Sequence, residues 1–183
     1  MIKLPASLER KLSALFPKVR ERERFVTGLV EKAIDIKPVL DVDQPTAIGG
    51  TLHLFTDGGS RGNPGQAAIG CVLLDPAKGT VLKEQGETIG IQTNNIAEYQ
   101  ALIAGLKMAK EFMPNQLICH LDSELVVKQL KGEYRVKMPT FQPLIDEINQ
   151  LKAEFPSVQF VTVPREANKR ADMLVNRALD GKI

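Results

Sequence analysis

Hydrophobic residues follow the two-residue period of β-strands through the middle of the chain. TLHLFTD (residues 51–57) and AAIGCVLLD (67–75) are rich in strand-forming residues, and a third predicted strand covers residues 81–91. The turn-forming segments GGSRGNPG and PAKG lie between these strands. Three strands joined by short turns predict an antiparallel meander.

After the meander, the hydrophobic period alternates between that of a helix and that of a strand. The pattern predicts strands over residues 116–122 and 158–163, and helices over residues 94–112, 123–131, 141–155 and 167–179. A meander followed by such alternation predicts an α/β fold, in which a mixed sheet carries helices on its faces.

The N-terminal part of the chain has a different pattern. A short strand or arm is predicted around residues 2–4, and apolar residues at helical spacing predict helices over residues 7–16 and 20–34. Pro17 ends the first of these helices. About 40 residues rarely bury enough apolar surface to fold alone, so this part is expected to dock or self-associate.

The segment DVDQPTAIGG (41–50) contains one proline and two glycines and shows no helical period. It is predicted to be a linker. We therefore divide the chain into a small, mostly helical accessory domain (1–40), the linker (41–50) and a larger domain (51–183).

Composition supports a folded protein with two parts of different charge. The 183 residues are 43% hydrophobic and 25% charged, with a net charge of +2. Residues 1–40 contain nine basic and five acidic residues, whereas the rest of the chain contains 15 basic and 17 acidic residues. A basic segment attached to a mildly acidic body predicts different partners for the two parts.

Two further features limit the function classes. Cys71 and Cys119 lie inside apolar runs without the spacing of metal ligands, so we expect two small buried residues. No apolar run approaches the roughly 20 residues of a membrane span, and the N-terminus lacks the pattern of a signal peptide. The expectation is a cytoplasmic protein.

Four acidic residues lie where a solvated surface acid is not expected. Asp57 and Asp122 each follow an apolar strand, at the strand end where α/β sheets commonly place their sites. Glu98 and Asp172 fall on the apolar faces of two predicted helices. Burying a charge there costs several kcal/mol unless something compensates it.

Divalent cations would provide that compensation. Converging carboxylates raise each other's pKa unless cations keep them ionised, and all-oxygen ligands suit Mg²⁺ or Mn²⁺ better than zinc. Two such ions could activate water and stabilise the leaving oxygen of a phosphodiester. The alternative is that each acid only caps a helix or forms a turn. The residues alone leave both interpretations open.

Four segments resemble, in order and spacing, the signature segments of type 1 ribonuclease H. They are FTDGGSRGNPG (55–65), TNNIAEYQALIAGL (93–106), LDSELVVKQLKGEYRVK (121–137) and VPREANKRADMLVNRAL (163–179). The resemblance covers residues 51–180 and implies a mixed five-stranded sheet with three antiparallel strands. It also implies cleavage of the RNA strand of RNA/DNA hybrids, leaving a 5′-phosphate and a 3′-hydroxyl. The implied ligands of two Mg²⁺ ions, for which Mn²⁺ could substitute, are Asp57, Glu98, Asp122 and Asp172.

The same resemblance indicates where the substrate would bind. Glycines near the first acid would let backbone amides approach a nucleic-acid strand, and uncharged side chains beside the acids could contact the 2′-hydroxyls that distinguish RNA from DNA. Asn94 could also cap its helix. The expected substrate-binding residues are Gly58, Ser60, Arg61, Asn63, Asn94, Asn95, Ser123, Gln129, Tyr134, Arg165 and Asn168.

The chain departs from well-known family members in two places. Where those members carry a histidine before the last acid, this chain has VPREANKRAD (163–172), so Arg165 or Glu166 must substitute, or the metal ions must suffice. The chain's two histidines, His53 and His120, lie in predicted strands, where packing is their expected role. The connector GEYRVKMP (132–139) leaves no room for the basic protrusion of some relatives and matches a compact subgroup. Tyr134 could stack on a base or sugar there, or belong to an ordinary exposed loop.

The N-terminal segment loosely resembles a ribbon-helix-helix domain, a class that dimerises through paired strands and often binds DNA. We expect dimerisation or added hybrid affinity, with a helical hairpin packed on the larger domain as the alternative. For the whole chain, the alternatives to a ribonuclease H are a non-catalytic hybrid- or DNA-binding protein and a DNA-directed nuclease of the same superfamily. Four retained acids favour the enzyme.

Overall fold

The alternating pattern forms a five-stranded sheet in residues 49–183, the part of the chain that the computed structural model describes. The strands are β1 (Thr51–Gly62), β2 (Gly65–Asp75), β3 (Thr80–Gln92), β4 (Gln116–Leu121) and β5 (Val158–Thr162). The helices are α1 (Asn94–Lys110), α2 (Glu124–Leu130), α3 (Gln142–Lys152) and α4 (Lys169–Leu179). The expectations for residues 1–40 and for nearly all of the linker lie outside the described residues.

The strand order is β3-β2-β1-β4-β5. β1, β2 and β3 are antiparallel neighbours, whereas β4 pairs in parallel with both β1 and β5. This arrangement confirms the predicted mixed sheet with its three-stranded meander.

Helices cover the two faces of the sheet. The main core contains Leu52 and Leu54 of β1 with Leu102 and Leu106 of α1. On the other face, residues of α4 pack against β2, as in the group Val72, Ala171 and Leu174. Cys71 and Cys119 are both buried and free, as predicted. No helix in residues 49–183 has the length and apolar character that crossing a membrane requires.

β1 is longer than predicted. The sequence predicts a turn in the glycine-rich segment after Asp57, but β1 continues to Gly62, which pairs with Gly65 of β2. The antiparallel partner extends the strand through residues that have little strand propensity of their own. Asp57 therefore lies inside β1. It still lies beyond the parallel pairing with β4, whose last pair is Phe55 with His120.

Several helix ends also differ from the pattern. Thr93 caps α1, because its hydroxyl oxygen accepts a hydrogen bond from the Ile96 N–H at 3.4 Å, so the cap is not Asn94. α3 begins one residue later than predicted, after the 3₁₀ turn Pro139–Phe141, and ends three residues earlier, at Lys152. α4 begins two residues later than predicted, after the 3₁₀ turn Arg165–Ala167. The connector between α2 and the first 3₁₀ turn contains no helix, as expected for the compact subgroup.

Candidate active site

Three of the four predicted acids come together at one end of the sheet. Asp57 of β1, Glu98 of α1 and Asp122, directly after β4, each offer a carboxylate oxygen, and these oxygens lie within 4.8 Å of one another. Asp57 and Glu98 are buried, with 7% and 6% of their surfaces exposed, and Asp122 is half-buried. These acids lie close together because β1 pairs with β4 and packs against α1.

A close contact between β1 and α1 brings Glu98 to this group. A Cβ atom at Gly58 would lie 2.1 Å from the carbonyl carbon of Ala97 and 2.3 Å from the backbone nitrogen of Glu98. Only glycine permits the strand and the helix to approach so closely. The glycine after Asp57 thus determines the distance between two of the three acids.

Burial and mutual repulsion strongly favour the protonated forms of two of these acids. Burial, followed by the charge of Asp57 and then that of Asp122, raises the pKa of Glu98 to about 9. Burial, followed by the charges of Asp122 and Asp172, raises the pKa of Asp57 to about 7. The positive charge of Arg165 and the nearby backbone N–H of Gly58 oppose both shifts.

This environment fits divalent cations. Glu98 Oε2 is buried and has no hydrogen-bond partner in the described part of the chain. A cation would pair with that oxygen and offset the repulsion that raises the pKa values. Because every candidate ligand atom is a carboxylate oxygen, the chemistry favours Mg²⁺ or Mn²⁺.

Asp172 does not belong to the three-acid group. It lies on α4, where its Oδ1 accepts from Arg165 Nη2 and its Oδ2 from Asn176 Nδ2, both at 3.1 Å. About a third of its side chain is exposed. Asp172 and Asp57 line a shared cavity of about 300 Å³, so Asp172 lies at the rim of the site. The structure thus brings three of the four predicted acids together and places Asp172 at the edge of the same cavity as Asp57.

Five of the predicted substrate-binding residues line the same cavity: Gly58, Ser60, Arg61, Asn94 and Arg165. Three of their side chains are already engaged, Arg165 through its hydrogen bond to Asp172. The Ser60 hydroxyl donates to the Gln92 carbonyl oxygen at 2.8 Å, and the Arg61 guanidinium pairs with Asp180 after α4. Arg165, whose side chain is 77% exposed, is the most accessible cation of this cavity.

The other predicted substrate-binding residues do not line the cavity. The Asn63 Oδ1 accepts from the Asn94 N–H at 3.1 Å, which ties the hairpin turn to the start of α1. Asn95 and Ser123 are half-buried at the starts of α1 and α2. Gln129 is buried and accepts a hydrogen bond from the Tyr99 hydroxyl.

The two remaining members of this set lie at different depths. Tyr134 is exposed on the connector, with Lys128 Nζ 4.8 Å from the centre of its ring. Asn168 is only 1% exposed and donates to Asp122, which places it beneath the acids instead of on a binding surface.

The two histidines pack against each other away from this cavity. His120 Nε2 lies 3.2 Å from His53 Nδ1, and the His120 ring stacks on Phe55 with centroids 4.4 Å apart. Burial lowers the pKa of His120. Their packing role agrees with the expectation from their position in strands.

Asn176 is a residue of the cavity that the sequence patterns do not single out. It lines the cavity and donates both to the backbone oxygen of Asp172 and to its carboxylate. Its position four residues after Asp172 could have indicated a site residue, because this spacing places both side chains on one helix face.

Comparison with known proteins identifies the family of this fold and site. The family model described as "Reverse transcriptase-like" matches residues 55–178. Ribonuclease HI of Halobacterium salinarum is 42% identical over 146 residues, which cover 80% of this chain and 71% of that protein. This chain belongs to the type 1 ribonuclease H family.

Solved ribonuclease H structures agree with this assignment. RNase H1 from Halobacterium salinarum matches with a TM-score of 0.70 and 43% identity, over 72% of this chain and 99% of that one. LC11-RNase H1, solved in complex with an RNA/DNA hybrid, matches with a TM-score of 0.68 and 44% identity, over 71% of this chain and 97% of that one. This chain also matches bifunctional protein Rv2228c of Mycobacterium tuberculosis. The identity is 43%, over 68% of this chain but only 34% of that protein.

Proposed function

We propose that this ribonuclease H hydrolyses the RNA strand of RNA/DNA hybrids and leaves a 5′-phosphate and a 3′-hydroxyl. The observation that carries the proposal is the buried group of Asp57, Glu98 and Asp122, in which Glu98 Oε2 lacks a partner. A protein that only bound nucleic acid would gain nothing from acids that repel one another at this depth.

Asp57, Glu98, Asp122 and Asp172 would hold two Mg²⁺ ions, which Mn²⁺ could replace. Bound divalent ions would supply activation of the attacking water and stabilisation of the leaving oxygen. The protein contributes a largely buried carboxylate group in which the pKa values of Asp57 and Glu98 are raised, and bound cations would keep these two acids ionised near neutral pH.

Residues around the cavity would orient the substrate. Arg165 presents an exposed guanidinium beside Asp172, where it can bind a phosphate of the RNA strand. Asn94, Asn95 and Ser123 lie at the starts of α1 and α2 near the acids and provide uncharged groups for 2′-hydroxyls. Tyr134, with Lys128 against its ring, would contact the hybrid farther along the connector.

A substrate panel with product analysis tests the proposal. Labelled RNA/DNA hybrid, double-stranded RNA, single-stranded RNA and double-stranded DNA are incubated with Mg²⁺ or Mn²⁺. The proposal predicts cleavage of the hybrid's RNA strand and products with 5′-phosphate and 3′-hydroxyl ends. Faster cleavage of DNA would favour the DNA-directed nuclease, and hybrid binding without cleavage would favour the non-catalytic binder.

We further propose that residues 1–40 add hybrid affinity or form a homodimer. The basis is their charge of nine basic against five acidic residues and their loose resemblance to a ribbon-helix-helix domain. Removing residues 1–45 should halve the solution mass or raise the KM for hybrid while metal-dependent cleavage persists. Unchanged mass and KM in the truncated protein would reject this role.

A further inference from the structure

The side chain of Asn168 does not cap the helix that follows it, although capping is the usual role of an asparagine at this position. It immediately precedes α4, where an asparagine oxygen commonly accepts a hydrogen bond from an N–H of the first helical turn. Its side chain makes no such capping bond. Instead, Asn168 is 1% exposed and faces the acids.

The amide group of Asn168 joins two elements of the site. Its Nδ2 donates to the Thr56 carbonyl oxygen at 2.9 Å, directly before Asp57 in β1, and lies 3.3 Å from Asp122 Oδ1. Because both partners are acceptors, the NH₂ group, with its two donors, must face them. The backbone oxygen of Asn168 also accepts from the Asp172 N–H at 3.1 Å.

The other polar atom of this amide, Oδ1, shows that packing alone does not explain an asparagine at this position. Asn168 Oδ1 is buried and has no hydrogen-bond partner within the described residues, a situation that costs about 1–3 kcal/mol. An aliphatic side chain would fill the same space without an unpaired Oδ1, but it would leave the Thr56 carbonyl oxygen and Asp122 Oδ1 without this donor. The two donors therefore account for an amide at this position.

We infer that Asn168 is a positioning residue that holds the Asp122 carboxylate in the orientation required for metal binding. This inference rests on the proposed function of the acid group, but it assigns Asn168 a role beneath the site instead of a contact with substrate. Residues that orient a metal ligand typically change metal affinity or activity about 10- to 100-fold when they are removed.

The test measures Mn²⁺ binding without substrate, by calorimetry on the full-length protein, together with kcat and KM on hybrid. Asn168→Leu fills the space without donors, and Asn168→Ala is the second variant in case the first fails to fold. Both should bind Mn²⁺ about 10- to 100-fold more weakly and lose kcat, with KM for hybrid changed less than about two-fold. Ala178→Gly, on the buried side of α4, controls for destabilisation of that helix and should leave Mn²⁺ affinity unchanged.

The outcomes separate this inference from the proposed function. If folded Asn168→Leu or Asn168→Ala binds Mn²⁺ as tightly as the wild type, the inference is wrong. A raised KM with unchanged Mn²⁺ affinity would also overturn it, in favour of a substrate contact. If the wild type itself neither binds Mn²⁺ nor cleaves hybrid, the proposed function fails, and the inference with it.

Discussion

Glu98 and Asp57 combine burial with negative neighbours, and this combination makes the metal-free protein sensitive to pH. The pKa of Glu98 is raised from 4.5 to about 9 and that of Asp57 from 3.8 to about 7. A carboxyl group whose pKa is raised in the folded state stabilises that state at low pH, and this stabilisation is lost as pH rises through the folded pKa.

In the presence of EDTA, the melting temperature should therefore fall between pH 5 and pH 9, and Mg²⁺ should restore more stability at pH 9 than at pH 5. Thermal melts followed by circular dichroism measure both effects. Glu98→Gln removes the titrating group and should flatten the fall. A wild-type melting temperature that rises over this range in EDTA would contradict the electrostatic account of the site.

Arg165 is expected to contribute to substrate binding much more than to stability. Its side chain is largely exposed, so its pair with Asp172 contributes at most about 1 kcal/mol to folding. Loss of a charged hydrogen bond to phosphate should raise the KM for hybrid about 10-fold in Arg165→Ala. Arg165→Lys should recover part of this loss. Arg177→Ala, on α4 but outside the cavity, should leave KM unchanged, and equal effects of Arg165→Ala and Arg177→Ala would refute the assignment.

At the scale of elements, the contact between β1 and α1 holds the site together. Alanine at Gly58 would overlap the backbone of Ala97 and force α1 away from β1. We expect Gly58→Ala to cost about 3 kcal/mol or more and to abolish hybrid cleavage. Gly79→Ala is the control, because Gly79 has no atom within 4 Å of an added Cβ and only its φ of +64° resists substitution. Its expected cost is about 1–2 kcal/mol. Equal losses of melting temperature would show that the close contact is unimportant.

The helices and strands also show which parts of the fold can be predicted from sequence patterns. Strand and helix patterns predicted each of the five strands and four α-helices of the described residues, but neither of the two 3₁₀ turns. The pattern could not predict the extension of β1 to Gly62, since only the partner strand β2 stabilises those residues. It singled out Asp57, Glu98 and Asp122, whose carboxylates the structure brings together. The pattern could not predict that Asp172 lies at the rim of the site or that the Asn168 side chain is buried beside Asp122. Both features depend on how α4 packs against the sheet.

At the scale of the whole molecule, charge is divided between the two parts of the chain. Residues 41–183 carry 15 basic and 17 acidic residues, so two bound divalent ions would change their formal charge from −2 to +2. A nucleic-acid backbone would meet a favourable field after metal binding, with the basic N-terminal residues adding attraction.

This division predicts a difference in salt dependence. The slope of log Kd for hybrid against log salt should be steeper for the full chain than for residues 46–183, by about 0.9 for each additional phosphate contact. Fluorescence anisotropy across a salt series, performed with Asp122→Asn in both proteins to prevent cleavage, measures the two slopes. Identical slopes would exclude electrostatic contacts from residues 1–45.

The most direct test of the central claim is the rate of hybrid cleavage by the wild type, by Asp122→Asn and by Asp146→Asn, each with Mg²⁺, Mn²⁺ or EDTA. Asp146 is an exposed acid on α3 and provides the matched control. The account predicts that the wild type and Asp146→Asn cleave only with metal. It predicts that Asp122→Asn loses more than about 100-fold in rate, the upper figure for residues that only orient a metal ligand. Intact hybrid with both metals, or equal cleavage by Asp122→Asn and the wild type, would contradict the account.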